Sequence, residues 1–228
     1  MAIPEFESYV KFTGLSESDL VWHRAERESL AGVNPEMFSA VILAGSPFTV
    51  SAPKAQKSAT ELRVERELRD LLDQVVANDL PFLGVCYGIG TVGAHQGALV
   101  DGTYGEAVGA TRVTLTEAGV DDPLFSQLPR EFDAFVGHKE AITKAPDHLT
   151  VLASSPTAPV QAFRVGQNVY AIQYHPELDV ESLSGRIRAY AHHGYFPPET
   201  TDSLLEEISA AHVADSHALL RLFVERYS

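Results

Sequence analysis

The sequence predicts a single α/β domain, a three-layer sandwich around a mostly parallel central sheet. Three observations carry that reading. Residues 38–44 and 82–85 are short apolar runs closed by turn residues, as suits strands buried on both faces of a parallel sheet. An amphipathic helical stretch lies between them, and strand and helix alternate up to residue 98. Of the 228 residues 45% are apolar and 21% charged, which excludes disorder and collagen-like repeats and gives enough material for a core without staples. No internal repeat or long linker divides the chain, so residues 1–228 read as one domain.

The elements come in this order. Residues 9–15 look like the end of a short helix stopped by Gly14. Residues 19–25 are expected to form a strand, and 38–44 a second one that ends in Gly45-Ser46-Pro47. Ser58 and Glu61 have the spacing of a capping box. Behind it Leu68, Leu71, Leu72, Val75 and Val76 fall on one helical face, and Pro81 is expected to end that helix. Residues 82–85 are the next buried strand. The middle is β-rich, with short runs at 112–116, 134–136, 150–153, 161–164 and 169–173. Residues 178–190 and 203–227 are read as helices. Pro197-Pro198 sets off a helical tail over 196–228.

Charge and composition narrow the partners. Seventeen basic residues against 31 acidic give a net charge of −14, which argues against nucleic acid and anionic membrane surfaces as partners. No apolar run reaches the ~18 residues of a membrane helix, and the opening has neither the basic nor the apolar region of a secretory signal. The single cysteine rules out an internal disulfide and a Cys-rich zinc site and points to a reducing cytoplasm. No His-Glu-x-x-His spacing is present, so no metal and no cofactor is expected. His192-His193 read as cations near a helix end, favoured by its dipole, in preference to ligands. Residues 84–93 are glycine-rich but lack the Gly-Lys-Ser/Thr of a phosphate loop.

Chemistry concentrates at two places. Gly84-Val85-Cys86-Tyr87-Gly88 puts the lone cysteine between a strand and a helix, where flanking glycines allow a sharp turn. The helix behind it offers free N–H groups and a positive dipole end, which favour a thiolate, and the Tyr87 N–H can stabilise an oxyanion. Taken alone the motif fits a buried structural cysteine equally well. In Gln173-Tyr174-His175-Pro176-Glu177, Pro176 pushes His175 out of the helical region. Residues i and i+2 of an extended chain share a side, so Glu177 can orient His175 and leave its other nitrogen for Cys86.

The two motifs together closely resemble the class I, or triad, glutamine amidotransferases. The closest resemblance is to the amidotransferase domain of GMP synthase and its stand-alone relatives. It extends over most of the chain. Val41-Ile42-Leu43-Ala44-Gly45-Ser46-Pro47 is similar to the family's oxyanion strand and loop. Residues 104–109 and 113–116 resemble the segment after the elbow helix, and Phe135-Val136-Gly137-His138-Lys139-Glu140 the substrate loop. The resemblance implies a flavodoxin-like fold with the site at the carboxyl ends of the strands. It implies Cys86 as nucleophile on the glutamine side-chain amide, His175 as base and then acid, and Glu177 as its orienter. It further implies Gly45, Ser46 and the Tyr87 N–H as oxyanion donors, and His138, Lys139 and Glu140 as substrate contacts. Glutamine would be hydrolysed to glutamate and ammonia through a γ-glutamyl thioester, with an ammonia-accepting synthetase as partner. No Ser-Gly-Gly-x-Asp-Ser loop of an ATP pyrophosphatase is present, so this chain is not expected to make GMP unaided.

Three departures from the family pattern stand out. Ser46 replaces the second glycine before the loop proline. Gly90 replaces the usual glutamine four residues after the nucleophile and removes a side chain from the substrate's surroundings. The first family strand is missing, because the chain opens on a helix-like segment. The sequence could therefore start at an internal methionine, or the sheet could have an unusual edge. Two alternatives stay open: a hydrolase of γ-glutamyl peptides or conjugates with the same triad, and a non-catalytic module that keeps the triad.

Overall fold

The computed structural model describes residues 2–190 and 198–228. His192, His193 and Pro197 lie outside the described residues. The chain opens with α1 (Ala2–Thr13), ended by Gly14 in the left-handed region at φ +74°. Irregular chain and 3₁₀ turns lead to β1 (Val41–Leu43), α2 (Ala59–Ala77), β2 (Phe82–Val85) and α3 (Tyr87–His95). The β-rich middle holds β3 (Leu99–Asp101), β4 (Glu106–Leu115), the short α4 (Glu117–Val120), β5 (Glu131–His138), β6 (Ala141–Lys144), β7 (Thr150–Ser154), β8 (Ala162–Val165) and β9 (Val169–Ile172). Three helices complete it: α5 (Val180–Tyr190), α6 (Thr201–Ala210) and α7 (Ala214–Tyr227).

Seven strands form one sheet in the order β1-β2-β9-β8-β7-β4-β5. β1, β2 and β9 run parallel, and the remaining neighbours pair antiparallel. β3 and β6 form a separate antiparallel pair. Side-chain alternation along β2 divides the core into layers. Leu83 and Val85 face a cluster with Tyr9 of α1 and Leu219, Leu220 and Phe223 of α7. Phe82 faces the other way, against Val64, Leu68, Leu72 and Val75 of α2 and Ile89 and Val92 of α3. Helices thus cover both faces, which is the three-layer α/β class read from the sequence. A third cluster joins Phe135 to Leu183 and Ile187 of α5, Ile208 of α6 and Val213.

The capping box forms as expected: Ser58 accepts from the Glu61 N–H, and the Glu61 carboxylate accepts from the Ser58 N–H at 2.8 Å. Several sequence expectations need correction. α2 ends at Ala77, ahead of Pro81, where Asp79 takes φ +49° and its carboxylate accepts from the Gln167 and Asn168 N–H groups. Residues 19–25 form no strand: Val21 is 72% exposed, and Trp22 stacks on Phe6 with centroids 4.9 Å apart. The strand expected at 38–44 is confined to Val41–Leu43 and is only half-buried, because β1 is the sheet edge and only β2 flanks it. No strand precedes it among the described residues. Residues 203–227 are two helices, broken at 211–213, where Val213 turns into the third cluster. No helix among the described residues is long and apolar enough to cross a membrane.

Candidate active site

The parallel strands β2 and β9 lie in register, with Val85 opposite Ile172. Both strands therefore deliver their next residues to the same end of the sheet. Cys86 is the first residue beyond β2. Its N–H donates to the Ile172 carbonyl at 2.9 Å, and its own carbonyl accepts from the Ile89 N–H. It sits at φ +52°, ψ −95°, a region that costs a residue with a Cβ about 1–3 kcal/mol. The neighbouring glycines make the turn feasible. A Cβ on Gly84 would stand 2.9 Å from the Gly88 carbonyl group, and one on Gly88 3.0 Å from the Leu43 oxygen. The strain holds the thiol at the mouth of α3, whose first N–H groups, that of Tyr87 among them, have no partner within the helix.

His175 lies beyond the end of β9 and is pinned by its N–H, which donates to the Phe135 carbonyl at 2.8 Å. Its Nδ1 bonds Glu177 Oε1 at 2.7 Å. The ring stands next to Cys86, and with Nδ1 engaged by Glu177 it is Nε2 that is left for the sulfur. Glu177 is completely buried. Burial works against the charged ring of His175, but the carboxylate of Glu177 and the neighbouring Cys86 outweigh it and hold the imidazole well above its ordinary range. Burial likewise opposes the Glu177 carboxylate, and the His175 charge and hydrogen bond bring it below the usual range.

Gly45 closes on this pair. A Cβ there would lie 3.2 Å from His175 Cε1 and 3.6 Å from Cys86 Cβ. Among the described residues only Asp79 and Cys86 carry a positive φ without being glycine. Ser46 therefore takes its place in the loop without left-handed strain, and its hydroxyl accepts from the Phe48 N–H at 3.2 Å.

In front of Cys86 opens a cavity of about 440 Å³, lined by residues 46–49, Tyr87, Gly90, residues 105–108 and 137–140, and Gln173. That size suits a small-molecule site. A larger, open depression of about 680 Å³ runs along one face of α6 and brings no convergent groups together. The 137–140 loop lines the site, and the side chains of His138 and Glu140 are engaged with other protein groups. His138 directs Nδ1 to the Glu140 carbonyl at 2.9 Å and Nε2 to Glu106 Oε2 at 2.7 Å. Glu140 accepts from the N–H groups of Val50 and Ser51 at 2.6 and 2.8 Å, joining this loop to the one that begins at Gly45. Lys139 lines the same wall. Gly90 lines the cavity, and a Cβ there would meet Val50 Cγ2 at 3.4 Å and Glu140 Oε1 at 3.6 Å, ordinary van der Waals contact.

Two residues that sequence reasoning passed over belong to this wall. Glu106 gathers His138, Thr157 and Gln161, the last at 2.6 Å, and this set of donors outweighs burial and keeps its carboxyl below the ordinary range. Gln173 is 1% exposed, and its Oε1 has no protein partner although it lines the cavity. Gln173 stands beside the His-Pro-Glu motif and Glu106 in the segment after the elbow helix, so both lie in stretches that the sequence already singles out.

The geometry sets a cysteine on a strand-to-helix elbow beside an imidazole backed by a buried carboxylate, on a three-layer α/β frame. The chain belongs to the class I glutamine amidotransferase family, whose model matches residues 10–187. It is 29% identical over 168 residues to a glutamine-hydrolysing GMP synthase of Thermosipho africanus, covering 72% of this chain and 28% of that protein. It is 29% identical over 213 residues to the GMP synthase of Mycobacterium tuberculosis, covering 90% of this chain and 37% of that protein. The chain thus spans about a third of the curated relatives it matches. A solved glutamine amidotransferase of Thermotoga maritima superimposes with TM-score 0.73 at 20% identity, covering 97% of this chain and 90% of that one. One from Methylobacillus flagellatus gives 0.73 at 14% identity, covering 98% and 88%. These two share the fold.

Proposed function

We propose that the chain hydrolyses the side-chain amide of glutamine to glutamate and ammonia, with Cys86, His175 and Glu177 as its triad. The observation that carries this reading is the juxtaposition of Cys86, at the strand-to-helix elbow, with the His175 ring, whose Nδ1 is bonded to buried Glu177. The Cys86 thiolate attacks the amide carbon, and the charge developing on the amide oxygen is received by the backbone N–H groups of Tyr87 and of the Gly45-Ser46 loop. His175 Nε2–H gives its proton to the amide nitrogen, the carbon–nitrogen bond breaks and ammonia leaves. The γ-glutamyl thioester stays on Cys86. The now neutral His175 takes a proton from water, whose oxygen attacks the thioester. Glutamate departs and the thiolate–imidazolium pair is restored.

GMP synthases as relatives support an ammonia-accepting synthetase as the working partner. Lys139 and Glu140 then act on the substrate from the loop wall, Lys139 by lining it and Glu140 by holding its shape, and His138 acts through the same wall. An unpaired thiol nucleophile is suited to the reducing cytoplasm. A second reading, hydrolysis of γ-glutamyl conjugates, is favoured by the absence of a side chain at Gly90. The test is ammonia release from glutamine by wild type and Cys86→Ala, beside cleavage of a γ-glutamyl dipeptide. Release by wild type alone supports the reading. Release retained in Cys86→Ala overturns it, and a strong preference for the dipeptide replaces it with the second reading.

A further inference from the structure

Only one oxygen of the Glu177 carboxylate is held by a side chain. Oε1 meets His175, while buried Oε2 has no protein partner. Beside its burial and the bond to His175, its direction depends on the backbone on which it hangs, which includes the peptide between Pro176 and Glu177. This peptide is gripped from outside the motif. His217, on α7, directs Nδ1 to the Pro176 carbonyl at 2.7 Å. A carbonyl only accepts, so Nδ1 carries the proton and donates it. The His217 ring is itself clamped, stacked on Phe12 of α1 with centroids 4.0 Å apart and planes within 10°. The residue before Phe12 is tied as well: Lys11 bonds Asp179 at 2.6 Å, and Asp179 accepts from the Ser182 N–H at the start of α5. Near the beginning of α1, Glu5 lies 3.5 Å from Arg186.

We propose that His217 is a positioning residue for the triad, holding the Pro176 carbonyl so that the Glu177 side chain stays aimed at His175. The helix α1, by stacking Phe12 on that ring, makes the beginning of the chain part of the support of the site. The proposal deepens the glutaminase reading, since it takes His175 and Glu177 to act as a pair. Burial lowers the His217 pKa from its ordinary value, so near neutral pH the ring stays uncharged against Phe12.

The experiment compares His217→Leu, which removes the donor, with His217→Asn, whose amide nitrogen stands near the position of Nδ1. The proton between His175 Nδ1 and Glu177 is read as a low-field NMR resonance, assigned by its loss in Glu177→Gln. In His217→Leu this resonance is expected to weaken or shift, and kcat for glutamine to fall by up to about tenfold with KM nearly unchanged, the scale of one lost hydrogen bond. His217→Asn should restore both. An unchanged resonance and kcat in His217→Leu, or an Asn variant as impaired as the Leu variant, overturns the proposal. Should His217→Leu fail to fold, His217→Asn against His217→Gln decides, because the longer glutamine places its donor too far out; equal behaviour of the two overturns the role. A wild type that shows the resonance and releases no ammonia counts against the glutaminase reading alone.

Discussion

The cavity has two walls built from different backbone. The triad wall comes from the parallel strands β2 and β9, whose shared register brings Cys86 and His175 together. The loop wall comes from the antiparallel extension, where the end of β5 and the turn after it carry residues 137–140. On the wall of the proposed triad, Cys86 sits at a strained positive φ and Glu177 is fully buried. On the loop wall His138 and Glu140 spend their polar atoms on other protein groups. The contrast teaches that, under the proposed reaction, one wall serves the chemistry and the other the shape, and substitutions should divide accordingly.

The largest effect is expected at the nucleophile. Cys86→Ala should lower ammonia release by about 10⁴-fold or more and leave the circular-dichroism spectrum intact. Relief of the positive φ is not available to alanine, so the melting temperature should change little.

Next comes the orienter. Glu177→Gln should reduce kcat by about 10²–10⁴-fold. It should also bring the His175 pKa down, because the carboxylate that raises it is gone. Stability should shift with it. In wild type, the contribution of charged His175 is fully present below its unfolded pKa of about 6.5 and is lost as pH rises through the raised folded value. In Glu177→Gln the loss should occur at lower pH, as a histidine NMR titration and pH-dependent melting would read.

The loop wall should respond more weakly. Glu140→Ala removes the acceptor shared by the Val50 and Ser51 N–H groups, and KM for glutamine should rise by roughly tenfold while kcat moves less. A KM left unchanged would erase the distinction between the walls. Gly90 gives the smallest effect and the sharpest test of crowding. A Cβ fits there at van der Waals distance, so Gly90→Ala should be neutral or raise stability by up to about 1 kcal/mol through helix propensity. Gly90→Gln sets a longer side chain against Val50 and Glu140 at the cavity wall, and should destabilise by about 1–3 kcal/mol without improving glutamine turnover.

The two walls also differ in how legible they are in the sequence. Cys86, His175 and Glu177 belong to short motifs whose geometry is local: a glycine-flanked turn, and a proline that forces its neighbour to be extended. Buried β2 is marked by its apolar content, and α2 by its capping box and apolar face. β3 and β6 carry no such mark, because they are short and pair only with each other, so no long alternating pattern arises. Residues 19–25 have strand-like content but no sheet neighbour, and aromatic stacking with α1 decides their course. The partners of His138, Glu140 and His217 are not legible, because each of these side chains meets residues far away in sequence.

The most direct measurement is acid-quench trapping with glutamine, followed by mass spectrometry of the peptide that contains Cys86. A γ-glutamyl adduct is expected on Cys86 that forms with wild type, is absent from Cys86→Ala and decays as glutamate appears. Ammonia release from wild type with no adduct on Cys86, or with the adduct on another residue, would contradict the triad mechanism.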